Sequence, residues 1–151
     1  MTAEHQAPGE LDFTRVFDAP RPLVFRCMIE PEHLTHFWGP KGTSAPLERI
    51  RVDPRPGGVF ETVMVSDAGE YPTQATYVEV TEPERLVWTE SHSGMTVTAI
   101  FTDVGDGRTE VRIHQTNVPE MFRSPQAQAG FLTSLDRFEA YLHQFSRTGK
   151  A

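Results

Sequence analysis

Residues 125–147 read PQAQAGFLTSLDRFEAYLHQFSR. Phe131, Leu135, Phe138, Leu142 and Phe145 recur there at steps of four and three, with Asp136, Arg137 and Glu139 between them. That spacing places the apolar groups on one face of a helix. Ser124-Pro125 supplies the start signal, because proline at the first helical position gives up only an amide that would be orphaned there anyway. A helix of this length spans roughly 34 Å, enough to cross a sheet from edge to edge. Its phenylalanine-rich stripe must lie on an apolar surface.

Residues 45–116 provide that surface. Pro56-Gly57-Gly58, Asp67-Ala68-Gly69, Glu82-Pro83-Glu84, Ser93-Gly94 and Gly105-Asp106-Gly107 punctuate the segment. Between them stand VFETVMV, a run near residues 71–80, RLVWTES, MTVTAIF and TEVRIHQT. Turns at such intervals predict an antiparallel meander. Leu11, Phe13, Arg15 and Phe17 alternate with Asp12, Thr14 and Val16 and predict a further strand. Pro20 and Pro22 open a short helix, Glu30-Pro31 interrupts, and a second short helix with Leu34, Phe37 and Trp38 on one side ends at Gly39-Pro40. The predicted fold class is α+β: a curved antiparallel sheet wrapped around a long C-terminal helix, with two short helices after the first strand. Residues 10–147 are expected to form a single domain, with a flexible tail at 1–9 and a second tail at 148–151.

The totals restrict function. The 151 residues carry a formal net charge of −7 and no basic run, so nucleic acid is not an expected partner. Hydrophobic residues make up 38% of the chain, enough for a core. The single cysteine, Cys27, rules out an internal disulfide and fits a reducing compartment. Residues 1–9 lack the apolar core of a secretory signal, and no apolar run is long enough for a membrane span. The expected location is the cytoplasm.

A long helix cannot evenly fill the concave face of a curved sheet, so a cavity is expected between the sheet and the helices. Alternation assigns its lining. Phe60, Thr62 and Met64 face inward on one strand, against Val59, Glu61 and Val63. Val97, Ala99 and Phe101 face inward on another, as do Val111 and Ile113 on the last. Trp88, Phe131, Leu135 and Phe138 complete the sheet and helix walls. Phe37 and Trp38, held at a Gly-Pro chain break, are expected to stand over the opening. A register slip of one residue would invert each strand assignment.

The motifs DAPRPLVF (18–25), EPEHLTHFWGPKG (30–42), DPRPGGVFETVM (53–64), EPERLVWTE (82–90) and GFLTSLDRFEAYL (130–142) resemble, in order and spacing, the START-like superfamily, also called SRPBCC or helix-grip proteins. The nearest branch is the activator-of-heat-shock-protein-90-ATPase homologue family. The resemblance covers about residues 11–145. It implies a helix-grip fold with an internal cavity and no single activity, since superfamily members include ligand carriers, hormone receptors, cyclases, dioxygenase subunits and cochaperone domains. The chain departs from the branch pattern at His36-Phe37, where Arg-Trp is more usual, and at Phe131, where tryptophan is common; both changes alter pocket volume. The eukaryotic cochaperone has an additional N-terminal domain without counterpart in these residues, so the family name alone implies no chaperone activation.

Other candidates are weaker. His33 and His36 could form a metal pair, but no Cys or His cluster joins them, and solvated histidines are expected. Glu90 and His92 could form an acid–base pair, but they close a strand before a turn, where solvent exposure is expected. His114 alternates outward. Glu61 would become a buried carboxylate only if the register were wrong. Cys27 fits a packed thiol. Arg55-Pro56-Gly57-Gly58 opens a strand and not a helix, so it is no phosphate loop, and no cofactor is expected. The leading function is binding of a small, largely apolar molecule. No catalytic motif is recognisable, so an enzyme such as a cyclase or hydrolase using the same cavity stands as the alternative, and a cochaperone-like protein-interaction module as a third.

Overall fold

The computed structural model describes residues 9–147; of the tails expected at 1–9 and 148–151, all but Gly9, whose carbonyl accepts from the Val118 amide at 2.8 Å, lie outside the described residues. Strand β1 spans Leu11–Phe17, helix α1 Arg21–Cys27 and helix α2 Pro31–Leu34. Six strands follow: β2 (Arg51–Val52), β3 (Val59–Ser66), β4 (Gly69–Thr81), β5 (Arg85–Glu90), β6 (Thr96–Gly105) and β7 (Arg108–Thr116). Helix α3 runs over Pro125–Arg147. The seven strands form one antiparallel sheet in the order β1-β7-β6-β5-β4-β3-β2. The first strand therefore closes one edge against the last, and α1 and α2 carry the chain across to β2 at the other edge. This is the helix-grip arrangement, with α3 against the concave face.

The inward strand assignments hold, but Val63, expected to face outward, is buried as well. Phe60 and Thr62, then Leu86 and Trp88, then Val97, Ala99 and Phe101, and finally Val111 and Ile113 are buried. A bulge in β4 at Val78 shifts the phase, since Tyr77 opposes Trp88 whereas Glu79 opposes Val87. Tyr77 is thus buried and Val78 turned out, and Val80 returns to the core side. Such bulges bend and twist a strand, which helps the sheet curl. Arg15, on the inner face of β1, meets Asp136 Oδ1 of α3 at 2.7 Å and Glu139 Oε1 at 3.3 Å.

Both short helices begin at prolines, with Pro20 and Glu30 as their caps. Helix α2 stops at Leu34, earlier than the sequence pattern suggests. Phe37 and Trp38 lie in the turn that follows, their amides donating to the Leu34 carbonyl at 3.1 and 2.9 Å. At α3, Ser124 Oγ accepts from the Ala127 amide at 3.1 Å and satisfies one of the orphaned N-terminal donors.

Candidate functional site

The face that α3 turns to the sheet changes size along its length. Ala127, Gly130 and Ser134 lie on it in the first half beside Phe131, and Leu135, Phe138 and Leu142 follow from the middle onward. These last three are buried; opposite the small ones a pocket of about 510 Å³ stays open between helix and sheet. Phe13 and Phe17 of β1, Val111 and Ile113 of β7, Val97 of β6 and Trp88 of β5 form its sheet wall. Phe131, Leu135 and Phe138 form the helix wall. Phe37 and Trp38 close one side, with Met64 of β3 beyond them, and Phe122, in a short turn before α3, stands at the rim.

Aromatic packing sets these walls. Phe13 and Phe131 meet across sheet and helix with ring centroids 4.5 Å apart. Phe37 stacks on Phe138 at 4.2 Å, and Phe17 tilts against the same ring at 4.9 Å. The Trp38 ring stands edge-on to Phe60 at 5.2 Å, and Trp88 meets the same Phe60 ring edge-on at 5.1 Å. Four residues expected in the lining do not reach the pocket. Phe60 is buried against Trp38, Trp88 and Tyr77. Thr62 is buried and shares a 2.7 Å hydrogen bond with Thr73, and it is Thr73 that lines the space. Ala99 and Phe101 lie farther along β6, where α1 covers the sheet and Phe25 packs on Phe101 at 5.2 Å. Alternation gives the face of a strand but not the part of that face a helix leaves uncovered.

The turn carrying Trp38 is fastened by α3. Arg137 Nη1 donates to the Gly39 carbonyl at 2.8 Å and to that of Pro40 at 3.1 Å, with Trp38 and Thr43 oxygens at 3.4 and 3.5 Å. Gly39 has φ +98°, and a Cβ there would strike Thr43 Oγ1 at 2.5 Å, so the turn requires glycine. Arg137 was legible only as a charge beside the apolar stripe; its partners lie about a hundred residues upstream, beyond any local pattern.

Apart from Gln115, which alternation puts on the inner face with Val111 and Ile113, the polar lining was missed as well. Glu90, Gln115, Thr73 and Ser134 border the pocket, and Tyr71 stands at its edge. Glu90 is half-buried whereas His92 is exposed, so the expected exposure holds for the histidine and not for the carboxylate. The available signal was period two: Glu90 follows Trp88 on the same face of β5. Burial pushes the Glu90 carboxyl up, opposed by a Ser93 hydrogen bond and the charge of His92. Burial also raises the Tyr71 phenol, with the Glu90 charge adding to it.

The remaining candidates fall outside the pocket. His33 is half-buried and not solvated: its Nδ1 lies 2.6 Å from Tyr141 Oη, and burial lowers its pKa. His36 is exposed and stacks on Tyr141 at 5.2 Å. No group of three or more metal-ligating side chains occurs among the described residues. His114 faces outward and pairs with Asp12 at 2.8 Å. Glu61, also on the outer face, accepts from Arg51 and Gln74. The Cys27 thiol is fully buried and pushed up to about 12. No helix among the described residues is long and apolar enough to cross a membrane.

Comparison with known proteins agrees with this fold. A protein from Nitrosomonas europaea superposes with a TM-score of 0.80 at 29% identity, over 94% of this chain and 99% of that one. A protein from Chromobacterium violaceum gives a TM-score of 0.80 at 24% identity, over 88% and 96% of the two chains. An AHSA1 protein from Silicibacter pomeroyi gives 0.75 at 20% identity, over 89% and 98%. No curated protein matches the chain. The family model described as Activator of Hsp90 ATPase homolog 1-like protein matches residues 18–143, from the approach to α1 to the last turns of α3. With most of its length inside that match, the chain belongs to the Activator of Hsp90 ATPase homolog 1-like family, within the START-like superfamily.

Proposed function

We propose that this protein binds a small, largely apolar molecule in the pocket between α3 and the sheet. The observation that carries the reading is a space of about 510 Å³, walled by aromatic and aliphatic side chains from both layers. Its size falls within the range of small-molecule sites, and a few polar groups among apolar walls is their usual composition. Phe13, Trp38, Trp88 and Phe131 offer flat faces to an aromatic or branched body. The buried, unreactive Cys27 is consistent with a reducing compartment, and we place this activity in the cytoplasm.

The test is titration of the full chain into N-phenyl-1-naphthylamine, a neutral dye that brightens when it leaves water. Saturable enhancement with one site per chain is expected. Ser134→Trp, which adds an indole to the pocket wall, should abolish it while leaving the circular dichroism spectrum unchanged. Enhancement that never saturates, or that survives Ser134→Trp undiminished, would overturn the reading.

A further inference from the structure

The sheet wall of the pocket carries Thr73, Glu90 and Gln115, while Gln126, Gln128 and Ser134 line it from α3. Trp88 and Glu90 lie two residues apart on one face of β5, roughly 6.6 Å along the strand. Glu90 opposes Ala75 of β4, and Thr73 is the next residue on that inner face. Gln115 lies level with Trp88, through Val97 of β6. Tyr71, 46% exposed, marks the rim on the same side. Glu90 contributes the one carboxyl group of the lining, and no Lys, Arg or His lines the pocket among the described residues. The side chain that bonds the carboxyl is Ser93, and His92 acts on it only from the exposed side of the turn.

The lining thus holds a negative charge, half withdrawn from water, without a countercharge of its own. Trp88 precedes it on the same face of β5, Tyr71 lies close enough to feel its charge, and Phe131 and Trp38 line the same pocket. Aromatic faces attract cations through the ring quadrupole, and a carboxylate accepts strongly from a charged donor. An anionic guest would meet both the Glu90 charge and the overall charge of −7.

We infer that the pocket takes a cationic amphiphile, an apolar body of aromatic dimensions bearing one protonated amine, with the ammonium on Glu90 and the body against Phe13, Phe131 and Ile113. The inference rests on the cavity reading above and adds the charge class of the guest. Glu90 is then the residue that determines specificity, with Thr73 on the neighbouring strand β4.

Three probes of one shape separate the two claims: 2-naphthylmethylamine, 2-naphthylmethanol and 2-naphthoate, each titrated calorimetrically into the full chain at neutral pH and low salt. The amine should bind about tenfold or more tighter than the alcohol, the scale of one charge-assisted contact, and the carboxylate should bind weakest. Glu90→Gln should remove the advantage of the amine and leave the affinity for the alcohol unchanged. An alcohol that binds as well as the amine overturns the charge assignment and leaves the cavity reading standing. Failure of all three probes overturns both. Amine binding that survives Ser134→Trp would belong to surface carboxylates and also overturns the inference. Should Glu90→Gln fail to fold, the ranking in the unaltered protein and the Ser134→Trp control still decide.

Discussion

Replacing Arg137 by methionine keeps most of the aliphatic stem and removes the guanidinium from the turn at residues 38–40. One nitrogen carries two hydrogens, so of its four near oxygens only Gly39 and Pro40, at 2.8 and 3.1 Å, can be well served together. Hydrogen bonds from a charged donor contribute about 1.5–3 kcal/mol, and a buried acceptor left unpaired costs about 1–3 kcal/mol. Gly39 is buried, whereas Pro40 is partly exposed and its carbonyl can recruit water. Arg137 is itself partly exposed, which lowers the yield of both bonds. The expected loss is about 2–3 kcal/mol, or roughly 4–12 °C in Tm for a chain of this size. Urea and thermal unfolding, followed by circular dichroism, measure it. Arg137→Lys should recover part of the loss, since one ammonium can reach a single carbonyl but cannot reproduce the planar fork. A loss below about 0.5 kcal/mol for Arg137→Met would refute the claim that this contact fastens the turn.

Three further outcomes follow from the same geometry. Trp38→Ala should cost about 2–4 kcal/mol, toward the lower part of the large-to-small range because Trp38 is only half-buried; a change under 1 kcal/mol in urea unfolding would mean that its contact with Phe60 carries little. Tyr77 Oη is buried without a hydrogen-bond partner among the described residues, so Tyr77→Phe should be neutral or stabilising by up to about 1 kcal/mol, and a clear drop in Tm would contradict this. Burial holds the Glu90 carboxyl above its ordinary 4.5, so between that value and the folded one the native state binds more protons than the unfolded chain, and stability falls as pH rises through the window. Glu90→Gln should therefore gain on the unaltered protein as pH rises from 4.5 toward 8; a stability difference independent of pH would sink the argument.

The sheet and the long helix could be read from the sequence because each buries one face, and burial imposes a period. Phe60, Thr62, Val97 and Ile113 point inward for that reason, and a slip of one residue would have exposed all of them. Depth along the face has no such signature. Met64 borders the pocket and Phe60 does not, although both point inward, because the position of the tryptophans and of α1 decides which part of the concave surface is left open. Glu90 had a legible signal, two residues after Trp88, but its place at a strand end before Ser93-Gly94 argued for solvent. Arg137 had none: its role depends on a turn brought to α3 by the whole course of the sheet.

The sequence of α3 also bears on why the space exists. A Cβ placed on Gly130 would meet only Pro40, at an ordinary 3.9 Å, so sterics do not demand a glycine there. Larger apolar groups at Ala127, Gly130 and Ser134 could bury further surface at about 25 cal/mol per Å², and the second half of the same helix does so with Phe138 and Leu142. The chain instead keeps three small residues around Phe131 on the wall of the pocket that Trp88, Val97 and Ile113 also line, and it holds Trp38 beside that space with a glycine turn that Arg137 fastens. Packing for stability alone would fill this end of the core as it fills the other. A void flanked by a fastened aromatic wall and a single carboxylate is what the proposed guest, entering and leaving, would require.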